Sequence, residues 1–146
     1  MKYIKILFFS ILLFYSSYIY ADSNFVHAKL ADKLYKPWGI AVLDDDHLLI
    51  TQKSGELFKI NIRNKTKTEI DHNLIVSEYG QGGLLDVLYY NEKVYVSYAE
   101  ERGDEKYSTS VAIGEIKDNS ISFKNIFQSE PPIKSKIHFG SRLEIK

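Results

Sequence analysis

His138, near the end of the 146-residue chain, is the side chain with the clearest capacity for acid–base chemistry. A neutral imidazole accepts a proton near neutral pH, and loss of a hydroxyl proton makes hydride removal from the same carbon easier. The residue type alone also permits a plainer interpretation, in which the histidine starts a strand and makes an ordinary hydrogen bond. His27, His47 and His72 show no metal-like spacing.

Gln81 is the second candidate, because it lies between glycines in the stretch Gly80-Gln81-Gly82-Gly83. Glycine permits backbone conformations and close approaches that a side chain would block. The stretch lacks the lysine and the following serine or threonine of a phosphate-binding loop. A loop that faces a cofactor and a tight turn that leaves the glutamine in solvent are both compatible with this pattern.

Two charged residues near these candidates are expected to have structural roles. Arg142 follows His138 by four positions and would share its face in an extended strand, where it could reach an acidic neighbour or the cavity. Pairing with an acidic neighbour is the expected role. Asp86, on a predicted inner strand, is expected to accept hydrogen bonds from backbone groups. The acidic run 44–46 lacks the spaced ligands of a calcium-binding loop, so a solvated turn is expected there. No metal ligand is assigned in this sequence.

The elements that must position these residues are predicted to be short strands, and the fold class is all-β. Apolar runs separated by turn signals form two successive antiparallel units of four strands. The second unit starts about 45 positions after the first, within the 40–50-residue period of propeller blades. A sandwich or an open barrel also uses many short strands at similar spacing. The predicted strands are 39–43, 48–51, 56–62, 66–70, 84–89, 93–100, 110–116 and 121–128.

A further apolar alternation opens at His138 and runs to Lys146. It predicts a strand that would begin a third unit. Since a closed propeller needs at least four blades, about two blades and the start of a third would be present. The mature part, residues 22–146, is therefore expected to be the N-terminal part of a truncated β-propeller.

Composition excludes several classes of function. The 19 basic and 19 acidic residues give a formal net charge of zero, so no electrostatic footprint for nucleic acid is present. The chain has no cysteine, which excludes disulfides, zinc–thiolate sites and thiol catalysis.

Residues 1–21 have the organisation of a secretory signal peptide. Lys2 and Lys5 precede the apolar run 6–14, and small and polar residues lead to Ala21. We expect cleavage after Ala21 and a periplasmic or secreted mature protein without membrane attachment. Ile19 occupies a place where a small residue is usual, so a retained membrane anchor is the alternative.

Three stretches occur in this order: KPWGIA at 36–41, GQGGLLD at 80–86 and HFGSRL at 138–143. Together with YVSY within 94–100, they resemble the soluble PQQ-dependent glucose/sorbosone dehydrogenase family. The resemblance implies a six-bladed β-propeller that holds pyrroloquinoline quinone and calcium over its axial cavity. It further implies oxidation of an aldose sugar at the anomeric carbon, with electrons passed to an external acceptor. In such an enzyme His138 would take the proton of the sugar hydroxyl, and Gln81 would lie close to substrate and cofactor.

One departure from the family concerns the residue before the proposed base. Some family members place an acidic residue there, whereas this chain has Ile137. The basic residues that clamp the quinone and the calcium ligands would lie beyond residue 146, so the fragment alone is expected to be inactive. A non-catalytic exported propeller that binds sugar or protein is the alternative, because one fold carries many functions.

Overall fold

The computed structural model describes residues 27–146, which form ten β-strands and no helix. The predicted signal peptide, residues 1–21, lies outside the described residues. In the described part, no helix has the length and apolar character needed to cross a membrane. The strands are β1 (Pro37–Val42), β2 (His47–Gln52), β3 (Leu57–Asn61), β4 (Lys67–His72), β5 (Leu84–Tyr90), β6 (Lys93–Glu101), β7 (Tyr107–Gly114), β8 (Ile116–Lys117), β9 (Ser120–Ile121) and β10 (Lys124–Gln128).

The first sheet is an antiparallel meander of β1 to β4, as the sequence predicts. Tight turns join neighbouring strands, and β3 buries Leu57, Phe58 and Ile60, while Lys59 and Asn61 are partly exposed. Buried residues thus occur on both faces of β3. The sheet is extended beyond β4 by the short hairpin β8–β9, in which β9 pairs parallel to β4. This extension is absent from the sequence prediction.

The second sheet has the order β10-β7-β6-β5 and is antiparallel throughout. Its centre is the pair β6–β7, which runs in register from Val94 opposite Gly114 to Glu101 opposite Tyr107. The prediction of a single strand over 121–128 is wrong, because this stretch divides between two strands. β9 joins the first sheet, and β10 joins the second. The chain thus crosses between the sheets at residues 122–123.

The hydrophobic core lies between the two sheets. Close approach is possible at Gly39 of β1, where an added Cβ would lie 2.8 Å from the Leu85 carbonyl oxygen and 2.9 Å from the Val87 nitrogen. Burial of aliphatic and aromatic side chains supplies the main stabilisation of such a core. Its buried members are Leu49, Leu57, Ile70, Leu84, Val87, Val94, Val96, Tyr98, Ala112, Ile121 and Phe123.

The strand predicted to begin at His138 does not form. After β10 the chain makes one isolated antiparallel bridge, between Ile133 and Tyr107, and residues 139–146 have no regular secondary structure. We call residues 134–146 the terminal segment. Its position depends on individual hydrogen bonds to the second sheet and to the loop that precedes β5.

Candidate active site

The loop that precedes β5 requires its glycines, as the sequence analysis predicts. Gly80 has φ 59° and Gly83 has φ 151°, both in the region that disfavours residues with a side chain. A Cβ on Gly80 would lie 2.1 Å from the Lys136 carbonyl oxygen, and one on Gly83 would lie 2.2 Å from that of Lys53. The loop is therefore pressed between the terminal segment and the end of β2.

Gln81 and His138, the two site residues predicted from the sequence, lie side by side. The backbone N–H of His138 donates a hydrogen bond of 2.9 Å to the side-chain oxygen Oε1 of Gln81, across 57 positions of sequence. The backbone N–H of Gln81 in turn donates to the carbonyl oxygen of Lys136, at 2.7 Å. These two bonds tie the glycine loop to the terminal segment at the candidate base.

His138 has φ 67°, in the left-handed region. Histidine, asparagine and aspartate visit this region more often than other side chains do, and a β-branched residue would be strained there. The chain bends at Lys136 and Ile137, directly before this left-handed residue, and the His138 side chain is exposed. The imidazole is thus accessible to a small molecule.

His138 also borders a small cleft of about 90 Å³ beside Phe139, with Ser108 and Thr109 of β7 among its other walls. Ligand pockets in proteins commonly measure 300–1,000 Å³. The cleft beside His138 is thus smaller than a usual ligand pocket within residues 27–146.

Two further contacts hold the terminal segment just beyond His138. The hydroxyl of Ser97, on β6, donates to the Ser141 carbonyl oxygen at 2.7 Å and accepts from the Asp86 N–H at 3.1 Å. The Oδ2 atom of Asp86 accepts from the Leu143 N–H at 2.8 Å. Ser97 and Asp86 are buried, at 1% and 4% exposure. The sequence prediction that Asp86 satisfies backbone groups is confirmed by this geometry.

Arg142 lies near an acidic residue, as expected from the sequence, and the structure identifies that residue as Asp86, although the chain there is not a strand. Its Nη1 atom is 3.6 Å from Oδ1 of Asp86, and its side chain is 86% exposed. An ion pair with so much solvent around one partner stabilises a protein little. The Arg142 guanidinium is therefore a weak additional contact to the terminal segment.

A bulge in β5 creates the arrangement around Asp86. The pairing of β5 with β6 shifts between Leu84 and Val87, so the groups between them leave the regular ladder. The Asp86 N–H donates a hydrogen bond to the Ser97 hydroxyl oxygen. The Thr51 hydroxyl of β2 donates to the Leu85 carbonyl oxygen at 2.5 Å. Both sheets thus contribute a hydroxyl to the bulge.

Sequence reasoning missed Ser97 and Thr51. Ser97 lies within a run of valines and tyrosines and Thr51 follows an aliphatic run, and the two hydroxyl residues are buried, at 1% and 0% exposure. A buried hydroxyl must find a hydrogen-bond partner, and this need is the signal that could have marked them.

Charged residues surround the glycine loop on the side of the first sheet. The Nζ atom of Lys53 donates to the Gly80 carbonyl oxygen, and Lys36 forms an ion pair of 2.9 Å with Glu78. The hydrogen bond to the Glu78 carboxylate, followed by a contact with Tyr35, raises the pKa of the Lys36 ammonium above its ordinary value of 10.5. Lys36 therefore carries a positive charge at neutral pH.

The acidic run at 44–46 forms a turn between β1 and β2. The Oδ1 atom of Asp44 accepts from the Asp46 N–H at 2.8 Å and lies 2.9 Å from Nδ1 of His47. The backbone donor of Asp46, then the His47 ring, hold the pKa of the Asp44 carboxyl below its ordinary value of 3.8. Within residues 27–146, no three His, Asp or Glu side chains gather as metal ligands.

Comparison with solved structures defines the class of fold. The soluble aldose sugar dehydrogenase of Escherichia coli, in its apo-form, is 34% identical, with a TM-score of 0.75 over 81% of this chain and 37% of that chain. A crystal structure of glucose dehydrogenase is 33% identical, with a TM-score of 0.73 over 79% of this chain and 36% of that one. The two sheets are blades of a β-propeller, which confirms the predicted fold class over the sandwich and the open barrel. They do not close into a ring.

The family follows from the sequence match. The model of the glucose/sorbosone dehydrogenase family matches residues 34–146, so the chain belongs to that family. The curated aldose sugar dehydrogenase YliI of Escherichia coli (strain K12) is 34% identical over 123 residues, which are 78% of this chain and 33% of that protein. The chain therefore spans about a third of the length of the relatives that it matches.

A more distant structure shows the fold alone. The PQQ-bound form of aldose sugar dehydrogenase from Streptomyces coelicolor is 24% identical, with a TM-score of 0.64 over 81% of this chain and 37% of that chain.

Proposed function

We propose that this chain supplies the catalytic base and one wall of the active site of a quinone-dependent aldose dehydrogenase. The hydrogen bond between the His138 N–H and Gln81 Oε1 carries the proposal, because it joins the two candidate residues at one exposed position. Membership of the glucose/sorbosone dehydrogenase family supports the reaction class. Relatives named as aldose sugar dehydrogenases support the substrate class.

In the proposed reaction His138 is the general base. A neutral ring nitrogen of His138 accepts the proton of the anomeric hydroxyl as the hydride leaves the same carbon. The His138 side chain is exposed, on a backbone of left-handed conformation, so its ring is open to a sugar. The Gln81 side chain fixes the backbone of the base and places a polar amide beside it.

The side chains present are compatible with the cofactor that the resemblance implies. Pyrroloquinoline quinone, when bound, would supply the acceptor for the hydride. An exposed amide on Gln81 and an imidazole on His138, next to a glycine loop that carries little steric bulk, suit a flat polar ring system. The Lys53 ammonium beside Gly80 adds a positive charge at the same loop. Calcium belongs to the proposal only through the resemblance.

The remaining parts of the proposal concern location and electron flow. The organisation of residues 1–21 supports export to the periplasm or the medium, where the reduced cofactor would pass electrons to an external acceptor. N-terminal sequencing of the mature protein tests the export, and we expect it to begin at Asp22. A mature protein that still begins at Met1 would contradict cleavage.

Reconstitution tests the proposed function. The full-length protein that contains this chain is expressed, loaded with pyrroloquinoline quinone and calcium, and assayed for dye reduction with a panel of aldoses. We expect reduction with at least one aldose and none in the quinone-free sample. A folded protein that binds sugar but reduces no dye would contradict the dehydrogenase and support the non-catalytic binder.

A further inference from the structure

We infer that Asp86 and Ser97 are positioning residues that dock the terminal segment and thereby hold His138 in place for the proposed reaction. The inference rests on the proposed function for its catalytic consequence, and on the contacts of the two side chains for the docking itself. Neither residue touches the candidate base. Both act on backbone groups three to five residues after it.

The terminal segment has few regular backbone pairings of its own. After the bridge at Ile133, its contacts with the second sheet and the glycine loop are made at separate points along the chain. Gln81 Oε1 accepts a hydrogen bond from the N–H of residue 138, and Asp86 accepts one from the N–H of residue 143. Between them, the Ser97 hydroxyl donates to the carbonyl oxygen of residue 141. These three side chains fix the start and the end of one short stretch.

The docking side chains are themselves fixed by the second blade. Ser97 lies in β6 between Val96 and Tyr98, all three buried, and Asp86 lies in the bulge of β5. A buried carboxylate and a buried hydroxyl are costly unless they are hydrogen-bonded. Undocking the terminal segment would remove the Leu143 donor from Asp86 and the Ser141 acceptor from Ser97. The docked position is therefore favoured by the second blade itself.

The Ser97 hydroxyl is the central member of this arrangement. A serine hydroxyl has one hydrogen to donate, and here the Ser141 carbonyl oxygen takes it. The same oxygen accepts from the Asp86 N–H, which the bulge has removed from the ladder. Loss of the Ser97 hydroxyl would remove two hydrogen bonds, one from the Asp86 N–H and one to the Ser141 carbonyl oxygen.

The distance along the chain makes the docking relevant to His138. Only Phe139 and Gly140 separate His138 from Ser141, and an extended chain spans at most about 3.6 Å per residue. A segment released at 141–143 would gain freedom at 138, where only the Gln81 contact would remain among the three. A misplacement of about 1 Å at a reacting group reduces a rate by as much as about 10²-fold.

Limited trypsin digestion of the full-length protein tests the docking without any assay of activity. Trypsin cleaves the Arg142–Leu143 bond, whose nitrogen donates to Asp86. We expect Ser97→Ala and Asp86→Ala to accelerate this cleavage roughly tenfold, because the docked state protects the bond. Asp86→Asn keeps an oxygen acceptor for the Leu143 N–H and should restore most of the protection.

A matched control separates docking from general destabilisation. Ser110→Ala removes another buried hydroxyl of the second sheet, which donates to Glu100 and makes no hydrogen bond to the terminal segment among the described residues. We expect cleavage after Arg142 in this variant to match the unmutated protein. Cleavage after Arg102, in the loop between β6 and β7, serves as the internal reference. Equal acceleration at Arg142 in Ser97→Ala and Ser110→Ala would overturn the docking.

Steady-state kinetics test the positioning. We expect Ser97→Ala and Asp86→Ala to lower kcat for aldose oxidation roughly 10- to 100-fold, with a smaller change in KM. Asp86→Asn should recover most of kcat, and Ser110→Ala should stay within about twofold of the unmutated protein. Faster cleavage at Arg142 with unchanged kcat would overturn the positioning role. An unmutated protein that oxidises no aldose would contradict the proposed function, while the digestion would still decide the docking.

Discussion

The paired strands and the terminal segment of this chain are held in place by different forces. In the strands, backbone ladders and a core that contains Leu57 and Val96 fix the structure through many small contributions. In the terminal segment, bonds to side chains such as Gln81 and Ser97 fix a chain with no regular structure of its own. The candidate base His138 belongs to the second kind of structure, and its partners belong to the first. A rigid blade can thus position a reactive residue that lies on an irregular segment.

The largest effect on stability should come from the core. Leu57 is fully buried, and Leu57→Ala is expected to lower the free energy of unfolding by about 2–5 kcal/mol, through lost burial and the cavity left behind. Ile137 of the terminal segment is 44% exposed, and Ile137→Ala should change the free energy of unfolding by about 0.5 kcal/mol or less. Urea denaturation of both variants measures the difference. Equal losses would contradict the division into two regions.

A second contrast lies between two glycines. Gly83 combines φ 151° with a Cβ position 2.2 Å from the Lys53 carbonyl oxygen, so Gly83→Ala should cost about 1–3 kcal/mol of unfolding free energy. Gly140, in the terminal segment, has no atom within 4 Å of its Cβ position, and Gly140→Ala should be close to neutral. Thermal unfolding of the two variants provides the measurement. A Gly83→Ala protein as stable as the Gly140→Ala protein would show that the loop can move away from β2.

The sequence predicted the regular part of the fold better than the irregular part. Alternation of apolar residues located β1 to β7 within a few positions, because period-two burial is a local property of a strand. The division of 121–128 between two sheets was missed because parallel pairing of β9 with β4 is a long-range contact that no local pattern records. The strand predicted to begin at His138 failed because local alternation does not show whether a partner strand is available. Alternation is present there, but no strand pairs with it among the described residues.

The candidate site was partly predictable. Gln81 and His138 were identified from motifs, and their proximity in space was implied only by the resemblance. Ser97, whose bonds hold the terminal segment, lies in a run of β-strand formers and has no motif of its own. Its importance follows from a bulge at Asp86, and a bulge depends on how two strands pair rather than on either sequence alone.

The smallest effect concerns acid stability at the turn between β2 and β3. Burial alone would raise the pKa of the Glu56 carboxyl, but donors from Ser54, its own backbone and Gln52, with the charge of His72, outweigh it and lower the pKa below the ordinary 4.5. Stability from this lowered pKa is present above about pH 4.5 and is lost as the pH falls through the folded value.

Glu56→Gln should remove this part of the pH dependence. We expect the variant to lose less stability than the unmutated protein between about pH 5 and pH 3, as measured by thermal unfolding across that range. Ser54→Ala removes one donor to the carboxylate, so its acid sensitivity should fall between the other two. An acid profile of Glu56→Gln that matches the unmutated protein would exclude Glu56 as a source of acid sensitivity.

The rate of aldose oxidation by a His138→Asn variant tests the central claim most directly. Asparagine tolerates the left-handed backbone at φ 67°, so the variant keeps this backbone conformation and the Gln81 contact while it loses the imidazole. His27→Asn, an exposed histidine remote in sequence, is the matched control. In the quinone-loaded full-length protein we expect His138→Asn to lower kcat/KM by roughly 10²–10⁴-fold with an unchanged melting temperature. A rate equal to that of His27→Asn would remove His138 from the reaction.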